Sequence, residues 1–356
     1  MQGIELSRRF YTDIVRPWLA ETAPDLRHTA ALIDSGSELL GFDDETSRDH
    51  NWGPRVQIIL SRDNFDVYAQ RLVTEFSSAA PASFLGEPIA WRSRPNPPAI
   101  GIEAAGAFEH GLQFHTLEHL LQAQFARRSL DTLSALDWLG MAEQKLLTFT
   151  AGAVFHDDDG WLTDARERLA YFPDDVWLYK IACQWRRIAE EQAFVGRTGQ
   201  VGDDLGSRII AARLVRDVMH MGFLLERHYA PYSKWLGTSF ARLTLAARLT
   251  PHLDRAMRAQ DYTTRGDALA AAYLELAQLQ SARGIAPFTP IIGPYHERPF
   301  TTINADDAVA AARAAISDPL IKQLPIVGAL DQVSDLTPLL EDPDMSQRML
   351  HQIHAK

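Results

Sequence analysis

The order of short apolar segments and amphipathic segments in the first 130 residues constrains this fold most. Residues 29–33 (Thr-Ala-Ala-Leu-Ile) are apolar between polar neighbours and predict a buried strand. Residues 55–60 and 111–115 predict two more strands. Apolar residues recur at helical spacing over 4–20 and 64–76, which predicts helices there. Strands and helices mixed in this way predict a mixed sheet with flanking helices.

Helical patterns dominate after about residue 130. The strongest lie at 175–192 and 205–229, and the Pro-rich stretch 287–299 predicts an extended connection before a final helical region. We therefore predict the α+β class. Residues 1–130 form a domain with a mixed sheet and flanking helices, and residues 131–356 form a mostly α-helical domain.

Charge and cysteine content exclude several classes of protein. The net charge of -11 argues against general affinity for a nucleic-acid backbone. The single cysteine, Cys183, rules out an internal disulfide and makes a cysteine-based zinc site implausible. The first residues lack the basic region and apolar run of a signal peptide, and no segment approaches the roughly 18 apolar residues of a membrane span. We expect a cytoplasmic protein that binds neither nucleic acid nor membrane.

Polar residues next to the predicted strands carry the candidate chemistry. The first strand leads to a turn containing Gly36 and Ser37. Asp49 and Asn51 stand shortly before the second strand, and Gln113 lies in the third. This arrangement resembles the nucleotidyltransferase superfamily, whose pattern is a Gly-Ser turn, an Asp-x-Asp and a third acid on a neighbouring strand.

The resemblance implies a role for each part of the pattern. A Gly-Ser turn lets backbone N–H groups approach a triphosphate, helped by the N-terminus of the next helix. Two carboxylates at spacing two on an extended segment point the same way and share magnesium ions. Those ions neutralise the triphosphate and activate an incoming hydroxyl.

The chain resembles more closely a bacterial family known as domain of unknown function 4037, over nearly its whole length. The resemblance rests on many segments, not on one short motif. They are Gly36-Ser37-Glu38-Leu39-Leu40-Gly41-Phe42-Asp43, 47–55, 143–147, 152–157, 175–179, 184–188, 206–208, 212–217 and 229–235.

The chain departs from the nucleotidyltransferase pattern at two of its three acidic positions. Asn51 stands where the second Asp is expected, and Gln113 stands where the third acid is expected, which leaves Asp49 as the one carboxylate. Asn and Gln offer a carbonyl oxygen to a metal but no charge, and they cannot act as a general base. We therefore expect weak or absent Mg²⁺ binding. Four other acids are alternative ligands that the spacing does not distinguish: Glu38, Asp43, Asp44 and Glu103.

A second set of candidate residues is basic and lies in the helical part. Arg208 and Arg216 are eight residues apart, so they share a helix face, and Lys234 follows at a helix end. By the resemblance, these three contact the nucleotide phosphates. The alternative is that such arginines form ordinary ion pairs with nearby acids such as Glu190, Glu191 and Asp217.

The sequence His115-Thr116-Leu117-Glu118-His119 matches an inverted zinc-protease motif. Zinc binding by that motif needs both histidines on one face of one helix. Thr116 is instead the predicted N-cap, which leaves His115 on the preceding strand. The protease interpretation is therefore disfavoured.

Two functional hypotheses remain open. In the first, the chain is a nucleotidyltransferase-type enzyme that binds a nucleoside triphosphate between its two domains and transfers a nucleotidyl group to a small-molecule acceptor. In the second, it is a degenerate or repurposed relative that binds a nucleotide or metabolite without transfer. The missing carboxylates favour the second, whereas Gly36, Ser37 and Asp49 favour the first.

Overall fold

The computed structural model describes residues 1–46, 52–89 and 110–355. Two compact units form. Unit 1 comprises Met1–Thr132 and Lys145–Ala170, and unit 2 comprises Leu133–Gln144 and Tyr171–Lys356.

Among the described residues, unit 1 contains a four-stranded mixed sheet. Its order is β5-β2-β1-β6, in which β2 and β5 are parallel and β1 is antiparallel to both of its neighbours. A short hairpin of β3 and β4 lies apart from this sheet. The strands are β1 (Thr29–Leu32), β2 (Val56–Leu60), β3 (Ser83–Phe84), β4 (Glu87–Pro88), β5 (Leu112–Thr116) and β6 (Ala153–Asp157).

Both units contain helices. In chain order they are α1 (Gly3–Phe10), a π-helical segment (Tyr11–Val15), α2 (Arg16–Thr22), a 3-10 turn (Ser37–Leu40), α3 (Arg62–Ala79), α4 (Leu117–Phe125), α5 (Ala135–Leu139), α6 (Glu143–Thr150), α7 (Trp161–Arg168), α8 (Asp174–Glu191), α9 (Phe194–Gln200), α10 (Asp204–Glu226), α11 (Leu236–Phe240), α12 (Ala246–Arg258), α13 (Tyr262–Ala282), α14 (Ala305–Ala315), α15 (Pro319–Gln323), α16 (Leu330–Val333), α17 (Thr337–Glu341) and α18 (Pro343–His354).

One face of the unit 1 sheet packs against helices. Alternate residues of β2 point to that face, where Ile58 joins a core with Phe10 of α1 and Phe76 of α3. The helix α3 begins at Ser61, whose hydroxyl accepts a hydrogen bond from the Asn64 N–H. These helices are the flanking helices predicted from the sequence, so the polar residues of the opposite face are left for other roles.

Unit 2 is mostly helical, as predicted. The long helix α10 packs against both α8 and α13, and α14 packs along α8. Trp185 of α8 is fully buried and donates a hydrogen bond to Gln280 of α13, with Nε1 and Oε1 2.8 Å apart. The Pro-rich stretch near residue 290 leads into a hairpin of β7 (Ile292–Tyr295) and β8 (Arg298–Ile303). In the described part of the chain, no helix is long and apolar enough to cross a membrane.

The α+β class is confirmed by this arrangement, but one element was not expected. The strand β6 pairs with β1 even though it lies after residue 130, where the sequence pattern had indicated helices almost throughout. Residues 145–170 accordingly belong to unit 1. The division into domains 1–130 and 131–356 stays a prediction.

Candidate functional site

The turn after β1 has a backbone conformation that only glycine adopts readily. Gly36 has φ +122° and ψ 144°, and the 3-10 turn of residues 37–40 follows it directly. A Cβ added at Gly36 would overlap the Arg55 guanidinium and would lie 2.7 Å from Glu38 Cδ. The sequence predicted that this glycine lets a phosphate approach the backbone. In the structure a glycine is needed here because the Arg55 and Glu38 side chains pack against it.

A buried ion pair links the turn to Arg55, the residue before β2. Arg55 Nη2 lies 2.6 Å from Glu38 Oε1 and also donates a hydrogen bond to the Ser35 carbonyl. The Glu38 side chain is 1% exposed. Its charge is balanced by Arg55, so it is a poor replacement for a missing magnesium ligand.

Ser37 presents an unsatisfied hydroxyl at the turn. Its Oγ is buried and, among the described residues, it has no hydrogen-bond partner. An unpaired buried hydroxyl costs about 1–3 kcal/mol. Such a group in a native structure calls for a ligand or an ordered water. Ser37, which the sequence suggested as a phosphate contact, is thus available to accept or donate a hydrogen bond there.

Asp34 is a carboxylate at this turn that the sequence reasoning treated only as a turn residue. It has φ +84°, and its Oδ1 accepts a hydrogen bond from the Gln124 amide. The same Gln124 side chain accepts from Lys145 Nζ at 3.4 Å. Burial raises the pKa of Asp34, although the charges of Lys145 and Arg55 oppose that rise. The available signal was the position of Asp34, directly after a buried strand.

Gln113 lies on β5, next to β2, where the sequence predicted it. The parallel register pairs it with Gln57, so the two amides share the face of the sheet opposite the helical core. Gln57 Oε1 accepts a hydrogen bond from the Ile33 N–H at 3.0 Å, and is thereby committed to the end of β1. Gln113 Oε1 lies 3.4 Å from His115 Nε2 on the same face.

His115 is held neutral by its surroundings. Burial lowers its pKa to about 4, and His119 acts in the same direction. A neutral imidazole beside Gln113 offers hydrogen bonds but no charge. The polar face at β5 therefore supplies neutral donors and acceptors where a third carboxylate was expected from the nucleotidyltransferase pattern.

Two of the predicted metal ligands, Asp49 and Asn51, lie outside the described residues, as does the alternative ligand Glu103. The alternative Asp43 has a structural role. Its Oδ2 accepts hydrogen bonds from the Gly3 N–H at 2.6 Å and from Trp52 Nε1 at 3.3 Å. Asp43 thus joins the start of α1 to the segment before β2.

The three basic residues predicted to bind phosphate all have partners within unit 2. Arg208 on α10 lies 2.7 Å from Asp204, and Arg216 on the same helix lies 3.4 Å from Asp335. Lys234 Nζ stands 4.9 Å from the ring centroid of Trp235. These contacts suit the ion-pair alternative for the two arginines. The nucleotide-binding role of all three residues stays a prediction.

Unit 2 also holds a buried charged cluster that the sequence reasoning missed. Lys180 Nζ, 1% exposed, lies 2.9 Å from Glu143 Oε1, and Asp331 accepts a hydrogen bond from the Glu143 N–H at 3.0 Å. Burial and the negative charge of Glu143 raise the pKa of Asp331 to about 7. Nearby, burial lowers the pKa of His220 to about 4. The signal was weak, because these residues are far apart in sequence.

The zinc-protease interpretation of residues 115–119 is wrong for the reason anticipated. His115 belongs to β5, whereas His119 belongs to α4, and Thr116 caps that helix by accepting from the His119 N–H at 3.2 Å. The two histidines therefore do not lie on one helix face.

Part of the chain matches the model of a known family. Residues 138–236 match the model of the family DUF4037, a domain of unknown function, so the resemblance is confirmed over that range. The chain is also similar to a nucleotidyltransferase-like protein from Exiguobacterium sibiricum 255-15, with a TM-score of 0.32 and 10% identity over 82% of this chain and 83% of that chain. No curated protein sequence matches the chain.

Proposed function

We propose that this chain is a nucleotidyltransferase-type protein that binds the phosphates of a nucleoside triphosphate at the turn of Gly36 and Ser37. The nucleotidyl group is then transferred to a small-molecule acceptor. The observation that carries the proposal is the buried hydroxyl of Ser37, which has no hydrogen-bond partner among the described residues. It lies directly after Gly36, at the start of the 3-10 turn. A phosphate oxygen would satisfy it.

One cation near the turn also suits a phosphate. Lys145 acts electrostatically on Asp34 at the end of β1, whereas the charge of Arg55 is balanced by Glu38. Arg55 holds Glu38 and the Ser35 carbonyl, which keeps the turn in one conformation before any ligand arrives. In this proposal Ser37 and the Gly36 backbone hold phosphate. Additional contacts from Arg208, Arg216 and Lys234 remain predictions.

The described residues fit a magnesium ion poorly. Glu38 is paired with Arg55, and Gln113 is uncharged, so neither supplies the charge that Mg²⁺ favours. Asp49 and Asn51 would have to provide the remaining ligands. We therefore assign no chemical step to the ion.

The second candidate function is binding of a nucleotide or metabolite without transfer. The neutral pair of Gln113 and His115 on β5 favours it, because a general base or a third metal ligand is expected there in a transferring enzyme. The two candidates share the phosphate site at Ser37 and differ in the need for magnesium.

Calorimetric titration with each of the four nucleoside triphosphates, with and without Mg²⁺, tests the shared site. We expect micromolar binding that Ser37→Ala weakens about tenfold, the effect of losing one hydrogen bond to a charged group. Ser129→Ala is the matched control, since Ser129 is an exposed serine of unit 1 bonded to Asp131. If no triphosphate binds, or if the two variants bind alike, the phosphate site is wrong.

Restoring the two missing acids separates the two candidates. In the double variant Asn51→Asp, Gln113→Glu, we expect magnesium-dependent release of pyrophosphate to appear or rise if the chain is a transferring enzyme with a depleted site. Wild-type triphosphate binding that ignores Mg²⁺, together with an inactive double variant, would support binding without transfer.

A further inference from the structure

Three side chains of metal-binding types meet where β1 and β6 lie side by side in unit 1. His28 precedes β1, His156 lies on β6 and Asp158 follows β6. One ligand atom from each lies within 4.8 Å of the other two. His156 Nε2 is 2.9 Å from Asp158 Oδ1, and the rings of the two histidines have centroids 4.7 Å apart.

The antiparallel register explains why these three side chains share one face. His156 is paired with Ala30 on β1, and side chains two residues apart on a strand point the same way. His28 and Ala30 therefore lie on the face that also carries His156. The pairing continues beyond the strands, because the Asp158 N–H donates to the His28 carbonyl and the His28 N–H donates to Asp158 Oδ2.

Two hydrogen bonds hold the His28 ring in one orientation, which suits a side chain that binds a metal ion. Its Nε2 lies 2.9 Å from the Tyr11 hydroxyl, and its Nδ1 lies 3.2 Å from the Leu26 carbonyl. A cation that binds one ring nitrogen displaces the oxygen there, and the other nitrogen keeps an oxygen to which it donates. Hydrogen bonds of this kind orient metal-bound histidines and raise their affinity.

We propose that His28, His156 and Asp158 bind one divalent transition-metal ion of the Zn²⁺ type. Two imidazoles and a carboxylate form a ligand set that zinc favours, whereas magnesium prefers oxygen ligands alone. Three protein ligands leave a fourth position open, and the side chains of His156 and Asp158 are 30% and 29% exposed, which gives the ion a path from solvent. The entering ion replaces the His156–Asp158 hydrogen bond at Nε2, and the neutral imidazole of His156 then carries its proton on Nδ1.

Neighbouring acids leave Asp158 as the carboxylate for this ion. Asp157 accepts hydrogen bonds from Thr29 and Thr163, and Asp159 pairs with Arg27. These partners hold the two carboxylates in the turn before α7. The proposed site is also independent of the turn at Gly36, so the triphosphate experiments do not test it.

The test is calorimetric titration of Zn²⁺ into the full chain, without an affinity tag and after treatment with a chelator. We expect one ion per chain with a micromolar or tighter dissociation constant, and a loss of at least about tenfold in His156→Gln and in His28→Gln. His252→Gln, on α12 of unit 2, is the matched control and should bind as the wild type does. Circular dichroism confirms that each variant is folded.

A second measurement covers the case in which one variant does not fold. Co²⁺ bound to the wild-type chain should give the visible absorption of a four-coordinate ion, and Asp158→Asn should weaken that absorption while Tyr11→Phe shifts the affinity by a smaller factor. The proposal is overturned if the wild type binds no stoichiometric Zn²⁺, or if His156→Gln and His252→Gln bind it equally.

Discussion

The substitution Gly36→Ala places a methyl group where Arg55 and Glu38 close over the turn that follows β1. The new Cβ would lie 2.7 Å from Glu38 Cδ and would also overlap the Arg55 guanidinium. The backbone at this residue, with φ +122° and ψ 144°, is itself unfavourable for alanine. Backbone strain destabilises the folded state by about 1–3 kcal/mol, and overpacking destabilises it by about 1–3 kcal/mol more. The lower conformational entropy of the unfolded alanine variant offsets about 0.4–1 kcal/mol of this loss. We therefore expect the free energy of unfolding to fall by about 3 kcal/mol, within a range of about 1–5.5 kcal/mol.

Gly160→Ala is the matched control for this prediction. Gly160 also lies in unit 1 and has φ +74°, but a Cβ there would meet no atom within 4 Å. The control variant therefore has only the strain of a left-handed backbone, and we expect its free energy of unfolding to fall by about 0–1.5 kcal/mol. Urea unfolding followed by far-UV circular dichroism measures both variants. If the two losses agree within about 1 kcal/mol, the ion pair of Arg55 and Glu38 does not close the turn as described.

Three further predictions concern unit 2. Lys180→Met should lower the free energy of unfolding by about 3–5 kcal/mol in urea, because the buried carboxylate of Glu143 loses its counter-charge; a loss near that of a surface substitution would contradict the burial of the pair. The folded pKa of Asp331, about 7, lies above its unfolded value of about 3.9, so its contribution to stability is complete at low pH and is lost as the pH rises through about 7. Melting temperatures from about pH 5 to pH 8 should fall in the wild type and fall less in Asp331→Asn, and equal slopes would refute the assignment. Gln192→Leu should cost about 2–4 kcal/mol on denaturation, because the Gln192 amide exchanges two hydrogen bonds of 2.9 Å with the buried backbone of Ile303; an unchanged midpoint would mean that water replaces them.

The candidate site was only partly predictable from the sequence. The turn at Gly36 and Ser37 and the place of Gln113 followed from strand boundaries, which are local. Asp34 and Lys145 were missed as partners, because Gln124 brings them together from three separate segments. The ion pair of Glu38 with Arg55 was not predicted either, because a sequence does not show which cation neutralises a given carboxylate.

Local pattern determined which segments became strands and helices. Residues 29–33 and 55–60 are short and apolar and are bounded by polar residues, a pattern typical of buried strands. Helical periodicity located α3, α8 and α10 in the same way. Only the tertiary structure decided that residues 153–157 form a strand, because this segment lies among helical patterns and gains its hydrogen bonds from β1. Pairing with a distant strand also brought His156 beside His28, and contacts between distant segments are settled by packing free energy rather than by local preference.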